Sequence, residues 1–218
     1  DTWKSRGLGD VYKRQGYDAY HFDDPTRKLS SEPFTAFEGN VDGQGNATVP
    51  LTVNVDQTPG MLRATLTTRV FENSGDYSTQ IRSVPVYPFK HWVGMRIPQG
   101  SGWGGALSRE GQHAIDLISL NSDGKAEPSR PLDISVYQID WRWWWDRSGD
   151  DLSNYISDPS TQRVAQAQIT TDGQGRAQWN LNGEDYDWGR HLIRICDRQS
   201  DHCTAQTVYL GWSWEQAS

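Results

Sequence analysis

A chain of 218 residues with 35% hydrophobic residues can build one large domain or two of about 100 residues, each burying its own core. The net charge of −7 comes from acidic and basic side chains interspersed without a basic block, which gives nucleic-acid binding no electrostatic support. No stretch approaches the apolar length of a membrane span, and 21 glycines, 10 prolines and short Thr- and Val-rich runs favour an all-β chain.

In chain order, the first feature is not structural. Ser5-Arg6-Gly7-Leu8-Gly9-Asp10-Val11-Tyr12-Lys13-Arg14-Gln15 matches the conceptual translation of a transposase-type sequencing adapter. Residues 1–15 are therefore set aside as an adapter scar, expected to make no organised contact with the rest. Strand pairing by Val11 and Tyr12 would contradict this reading. The chain is then a fragment of a longer protein that begins at about Gly16, and Ser218 is as readily a break as a natural end.

A first strand is expected over 34–38, and a second over 46–55 follows the turn Asp42-Gly43-Gln44-Gly45. Strands over 61–71 and 77–86 flank the turn Asn73-Ser74-Gly75-Asp76, and the pair Pro85, Pro88 closes a first unit spanning 16–88. A second unit over 89–212 opens with a strand at 91–97 and is expected to form a seven-stranded antiparallel sandwich, leaving 213–218 as the start of a linker. Gly100, Gly102 and Gly105 match the letters of a dinucleotide fingerprint, but too little helix follows and no βαβ pattern surrounds them, so they read as a surface loop. Strands over 114–120 and 132–137 flank Asn121-Ser122-Asp123-Gly124-Lys125, which has Asp-Gly hairpin chemistry.

From Tyr137 the phase of the alternation flips, so that Tyr137, Ile139, Trp141, Trp143 and Trp145 share one face. Such a flip predicts a β-bulge near residues 136–138. Trp141, Trp143, Trp144 and Trp145 together form either an anchor against a neighbouring domain or a ligand platform, and the anchor is the commoner use of exposed aromatic surface. A polar excursion over 147–162 leads to strands at 164–170, 177–181, 192–196 and 204–210.

An internal repeat organises these elements. Val41-Asp42-Gly43-Gln44-Gly45-Asn46-Ala47 recurs as Thr171-Asp172-Gly173-Gln174-Gly175-Arg176-Ala177. Arg69-Val70-Phe71-Glu72 recurs as Arg194-Ile195-Cys196-Asp197, and Asp76-Tyr77-Ser78-Thr79 as Asp201-His202-Cys203-Thr204. Two tandem copies of one β domain explain this, with the first lacking anything that matches residues 91–160. The first copy is then a C-terminal half-domain with unburied sheet faces and little stability of its own.

Cys196 and Cys203 are the two cysteines, and in the first copy their places fall to Phe71 and Ser78 across a hairpin turn. Strand alternation can bring the sulfurs opposite one another, which suits a disulfide and hence an oxidising compartment such as a periplasm or cell surface. Free buried thiols, or a zinc site using His202, are the alternatives. Asp150-Asp151 and Glu184-Asp185-Tyr186-Asp187 lie in turn-rich segments and read as solvated charge rather than calcium ligands. No catalytic motif is present, and nothing calls for a cofactor or a metal.

Val93-Gly94-Met95-Arg96, the turn at 121–125, Trp141-Arg142-Trp143-Trp144-Trp145-Asp146, Trp188-Gly189-Arg190, Arg194-Ile195-Cys196-Asp197, His202-Cys203-Thr204 and Gly211-Trp212 together resemble bacterial α2-macroglobulins, especially those of Bacteroidetes type. The resemblance covers about residues 16–214. It implies tandem macroglobulin domains, which are fibronectin-III-like antiparallel sandwiches, the first one incomplete and both just ahead of a bait-region domain. It implies a protease trap, in which bait cleavage triggers collapse and a Cys-x-Glu-Gln thioester couples to the attacker. Here Trp214-Glu215-Gln216 lacks that cysteine, so no reactive residue carries over. The implied partners are neighbouring macroglobulin domains and, through the parent chain, target proteases; membrane anchoring of the parent stays open. The rival is a carbohydrate-binding sandwich that stacks sugars on Trp143 and Trp145.

Overall fold

A computed structural model describes residues 3–5, 16–29, 33–49, 58–72, 74–139, 152, 156 and 161–211. Within them the chain is all-β. The strands are β1 (Trp3–Ser5), β2 (Leu62–Phe71), β3 (Tyr77–Val86), β4 (His91–Arg96), β5 (Leu107–Ser108), β6 (Gln112–Asn121), β7 (Pro131–Ile139), β8 (Gln162–Thr170), β9 (Arg176–Asn182), β10 (Gly189–Asp197) and β11 (Cys203–Gly211). They form three sheets, ordered β1-β2-β3, β5-β11-β10-β7-β8 and β4-β6-β9.

The second and third sheets make a sandwich. Alternate residues of each strand face inward, and the two inner faces meet in one core. Val93, Met95, Ile115 and Leu117 come from one sheet, and Leu132, Ile134, Val136, Ile193 and Ile195 from the other. The expected seven antiparallel strands become eight, because β5 joins as a short parallel neighbour of β11 through Leu107↔Leu210. The glycine loop produces this extra strand. It curls so tightly that a Cβ on Gly100 would fall 1.9 Å from the Ala106 carbonyl oxygen, and it delivers the chain straight into β5 with no phosphate-binding helix.

The irregularity expected near residues 136–138 is present, but it lies on β8 and is not what changes the phase at Tyr137. Against β10, β7 stays in unbroken register from Leu132↔Asp197 to Ile139↔Arg190. The register does shift between Val136 and Tyr137 against β8, where Val136 faces Ala165 and Tyr137 faces Arg163, leaving Val164 as the extra residue on β8. The alternation of β7 itself never breaks. Leu132, Ile134 and Val136 point into the main core, while Tyr137 and Ile139 lie on the outer face and are buried with Leu192, Ala205 and Leu152. Both faces of the strand are covered at this end, and two buried faces read in sequence as a flip.

The repeat is visible in hydrogen bonds. The Asp42 carboxylate accepts from the Gln44 and Asn46 N–H groups at 2.9 and 2.8 Å, and Asp172 does the same for Gln174 and Arg176 at 2.8 and 2.9 Å. Gly45 and Gly175 take φ of 82° and 71°, the left-handed conformation that glycine adopts without strain. The second repeated turn differs in one respect. Phe71 faces Tyr77, not Ser78, because the loop in the second copy is one residue longer. A tilted aromatic pair with ring centroids 5.3 Å apart thus stands where the second copy has its two cysteines.

Two other expectations fail. No strand lies within residues 33–49, where Phe34 and Phe37 stand exposed; an alternating segment becomes a strand only where a neighbour takes its backbone hydrogen bonds. Trp3–Ser5 pairs with Leu62–Ala64 as β1, so these three residues of the supposed scar do make an organised contact. Val11 and Tyr12 lie outside the described residues. Among the described side chains of the first sheet, Leu62, Ala64 and Val86 gather around Leu29, while Val70, Phe71, Tyr77 and Ile81 are exposed.

Candidate functional site

Of the residues singled out as a platform, Trp141, Trp143, Trp144 and Trp145 lie outside the described residues. What is described is the base from which they depart. β7 ends at Ile139, and Leu152 and Ile156 pack back over Tyr137, Ile139 and Leu192.

Cys196 and Cys203 face one another at the turn end of the β10–β11 hairpin and form a disulfide. The Asp197 N–H donates to the His202 carbonyl at 2.9 Å, so the next pair, Cys196 and Cys203, is the close, non-hydrogen-bonded kind in which side chains approach most nearly. Asp197 anchors the same hairpin to the rest of the sandwich. Its buried carboxylate accepts two 2.8 Å bonds from the Arg130 guanidinium, and the Gln199 N–H donates to it at 2.8 Å. Arg130 is itself buried, with its N–H on the Thr171 hydroxyl at 2.9 Å and a further bond to Gln199 at 2.7 Å.

The most developed constellation lies where sequence reasoning placed nothing, in residues 16–29. β4 is the outer strand of its sheet, and the first half of β11 meets no strand beyond β10 until Leu210. The chain from Tyr20 to Asp24 runs between these two edges. His21 exchanges both backbone bonds with Met95, at 2.8 and 2.9 Å, and the Ala205 N–H donates to the Asp23 carbonyl at 2.9 Å. The Thr204 hydroxyl donates to the His21 carbonyl at 2.9 Å. Phe22 enters the interior beside Met61, Trp92, Ile118 and Leu120. It fits because position 94 is glycine: a Cβ there would lie 2.5 Å from the Phe22 ring.

Asp24 fixes the segment two residues further on. Its fully buried carboxylate accepts from two Arg194 nitrogens, both at 2.9 Å, and from the Thr26 N–H and hydroxyl at 3.1 and 2.5 Å. Arg27 then reaches the hairpin end, donating to the Asp201 carbonyl at 2.9 Å with Cys203 Sγ at 3.5 Å. His202 closes the assembly from within. Its Nδ1 accepts the Val93 N–H at 3.0 Å, which sets the neutral tautomer, and its ring packs 4.6 Å from Trp92 and 4.9 Å from Phe89. Burial pushes its pKa down to about 3, helped by the nearby Arg27 and Arg194 and partly opposed by a backbone bond to Phe22. His202 is thus a core acceptor, and no cluster of metal-binding side chains occurs among the described residues. The available signal was Tyr17, Tyr20 and Phe22 running into Asp23-Asp24-Pro25, an aromatic density out of place in a lead-in.

A two-sheet sandwich locked by a disulfide, a buried ion pair and an inserted segment defines a structural module. The family "Bacterial macroglobulin domain 6" matches residues 94–212, and the chain belongs to that family. Its fold is similar to the native conformation of Escherichia coli alpha-2-macroglobulin, at 11% identity and a TM-score of 0.59 over 98% of this chain and 14% of that one. Salmonella alpha-2-macroglobulin reacted with methylamine gives 12%, 0.60, 98% and 14%. The Escherichia coli protein activated by porcine elastase gives 14%, 0.57, 97% and 18%. The chain therefore spans about one seventh of the first two of these. No curated protein matches it in sequence.

Proposed function

We propose that the chain is a scaffold fragment of a protease-trapping bacterial α2-macroglobulin, an endopeptidase inhibitor, with neither bait nor thioester chemistry of its own. The carrying observation is the family match over 94–212 on a sandwich in which the buried Asp24, Asp197 and His202 are committed to internal contacts. Asp24 is held by Arg194, Asp197 by Arg130, and the His202 Nδ1 by Val93, so each serves geometry rather than a reaction. The disulfide supports an oxidising setting, the periplasm or cell surface, with neighbouring macroglobulin domains as the direct partners. The unit over 16–88 is read as the C-terminal part of one macroglobulin domain and 89–212 as the next. Exposed Val70, Phe71, Tyr77 and Ile81 on β2 and β3 support that reading, since a finished sandwich would cover much of such a surface.

The test uses the longer chain from which this fragment comes. It is incubated with elastase, and the protease is then assayed on a small peptide and on a large protein substrate. A trap spares the first activity and suppresses the second, whereas the 218-residue chain alone alters neither. Equal loss of both activities, or inhibition by the fragment itself, contradicts the proposal.

A further inference from the structure

We infer that the cleft between the β4 and β11 edges is a strand-accepting site, and that residues 20–27 of this chain are its separable occupant, recognised as an extended peptide with an aromatic residue followed two positions later by a carboxylate. The family match begins at residue 94, so nothing in it assigns residues 20–27 to the sandwich. The geometry does. An exposed sheet edge presents unpaired N–H and C=O groups that an added strand can satisfy, with side-chain pockets giving selectivity.

Here both edges are used at once. Met95 on β4 pairs with His21, and Ala205 on β11 donates to Asp23. Selectivity comes from two sockets along that backbone. One is the space left by Gly94 beside Ile118, filled by Phe22. The other is the Arg194 guanidinium, which grips the Asp24 carboxylate through two nitrogens. Connectivity does not press the segment into place. Some 170 residues separate Asp24 from Arg194 along the chain, and residues 33–49 that follow the segment are nearly all exposed. The occupant is therefore held by recognition, and a peptide of the same sequence should replace it.

Amide hydrogen exchange on the whole chain provides the test. In a Phe22→Ala, Asp24→Ala double variant, the Met95 and Ala205 amides should exchange at least ~10-fold faster, while Ile134 and Ile193 in the main core keep their protection. A synthetic peptide of residues 16–29 should restore both amides saturably, and the same peptide carrying Phe22→Ala should not. Unchanged exchange at Met95 and Ala205 overturns the inference, as does a uniform rise including Ile134 and Ile193, or an opened chain that the peptide fails to restore. If the double variant does not fold, Arg194→Lys decides. It keeps the charge but loses the two-nitrogen grip, so it should loosen the same two amides selectively; equal exchange with the parent contradicts the site.

Discussion

Arg130 and Asp197 form the kind of pair whose removal is felt most, because both are buried and each fills the other's hydrogen-bonding capacity. Removing one partner leaves an uncompensated charge in the interior, at a cost of about 3–5 kcal/mol. Arg130→Met should lower unfolding stability by that order in urea titrations, and adding Asp197→Leu should recover part of it; a change in the single variant no larger than that of a surface substitution would remove the pair from the account of stability. His202 makes a second, pH-dependent expectation. Its folded pKa is pushed down to about 3 from an ordinary 6.5, so the unfolded chain binds its proton first. Its stabilising contribution is whole above about pH 6.5 and drains as pH falls towards 3, at up to about 1.4 kcal/mol per pH unit. A His202→Leu variant should show a shallower loss of urea midpoint between pH 6.5 and 4.5, and an identical slope would mean that other groups carry the acid sensitivity. His202 was legible only as a candidate zinc ligand beside the cysteines, and Arg130 not at all. Arg130 stands alone in a polar turn, and what makes it matter is a partner 67 positions away.

At the scale of elements, the strands from β2 onward, β5 excepted, were legible because each carries a period of two and ends in turn residues. The failures share one cause. A strand is a property of two segments, so residues 46–49 alternate correctly and still form none, and β5 exists only because β11 lies beside it. The apparent flip in β7 likewise depends on Leu152 covering an outer face, which no local pattern announces. The disulfide was legible because repeat and hairpin placed both cysteines near the same turn. Its loop is short, so the chain-entropy argument gives about 2–3 kcal/mol, less any strain. Cys203→Ser should fold and melt at a lower temperature, with the reduced parent melting alongside it. The first copy does without the bond, since Phe71 and Tyr77 form a tilted ring pair at that place. Two free thiols on titration of the unfolded, unreduced chain would remove both the bond and its support for an oxidising compartment.

For the whole molecule, the tandem reading and the structure meet at an unexpected joint. Pro85 and Pro88 suggest a boundary near residue 89, but the contacts do not divide there: Phe22 and Met61 from before it share a cluster with Trp92, Ile118 and Leu120 from after it. Residues 16–29 were unreadable as part of the second sandwich because their partners, Met95, Arg194 and Ala205, are far along the chain. The most direct measurement is limited proteolysis of the whole chain, with the products separated under native conditions and weighed. Early cuts are expected within 33–49 and at the β2–β3 turn, leaving a resistant body that contains 91–211 and still carries 16–29 after the connecting chain is severed. Equal resistance of both units, or loss of 16–29 as soon as the connection is cut, would contradict a finished sandwich clasped by its own upstream strand beside an unfinished neighbour.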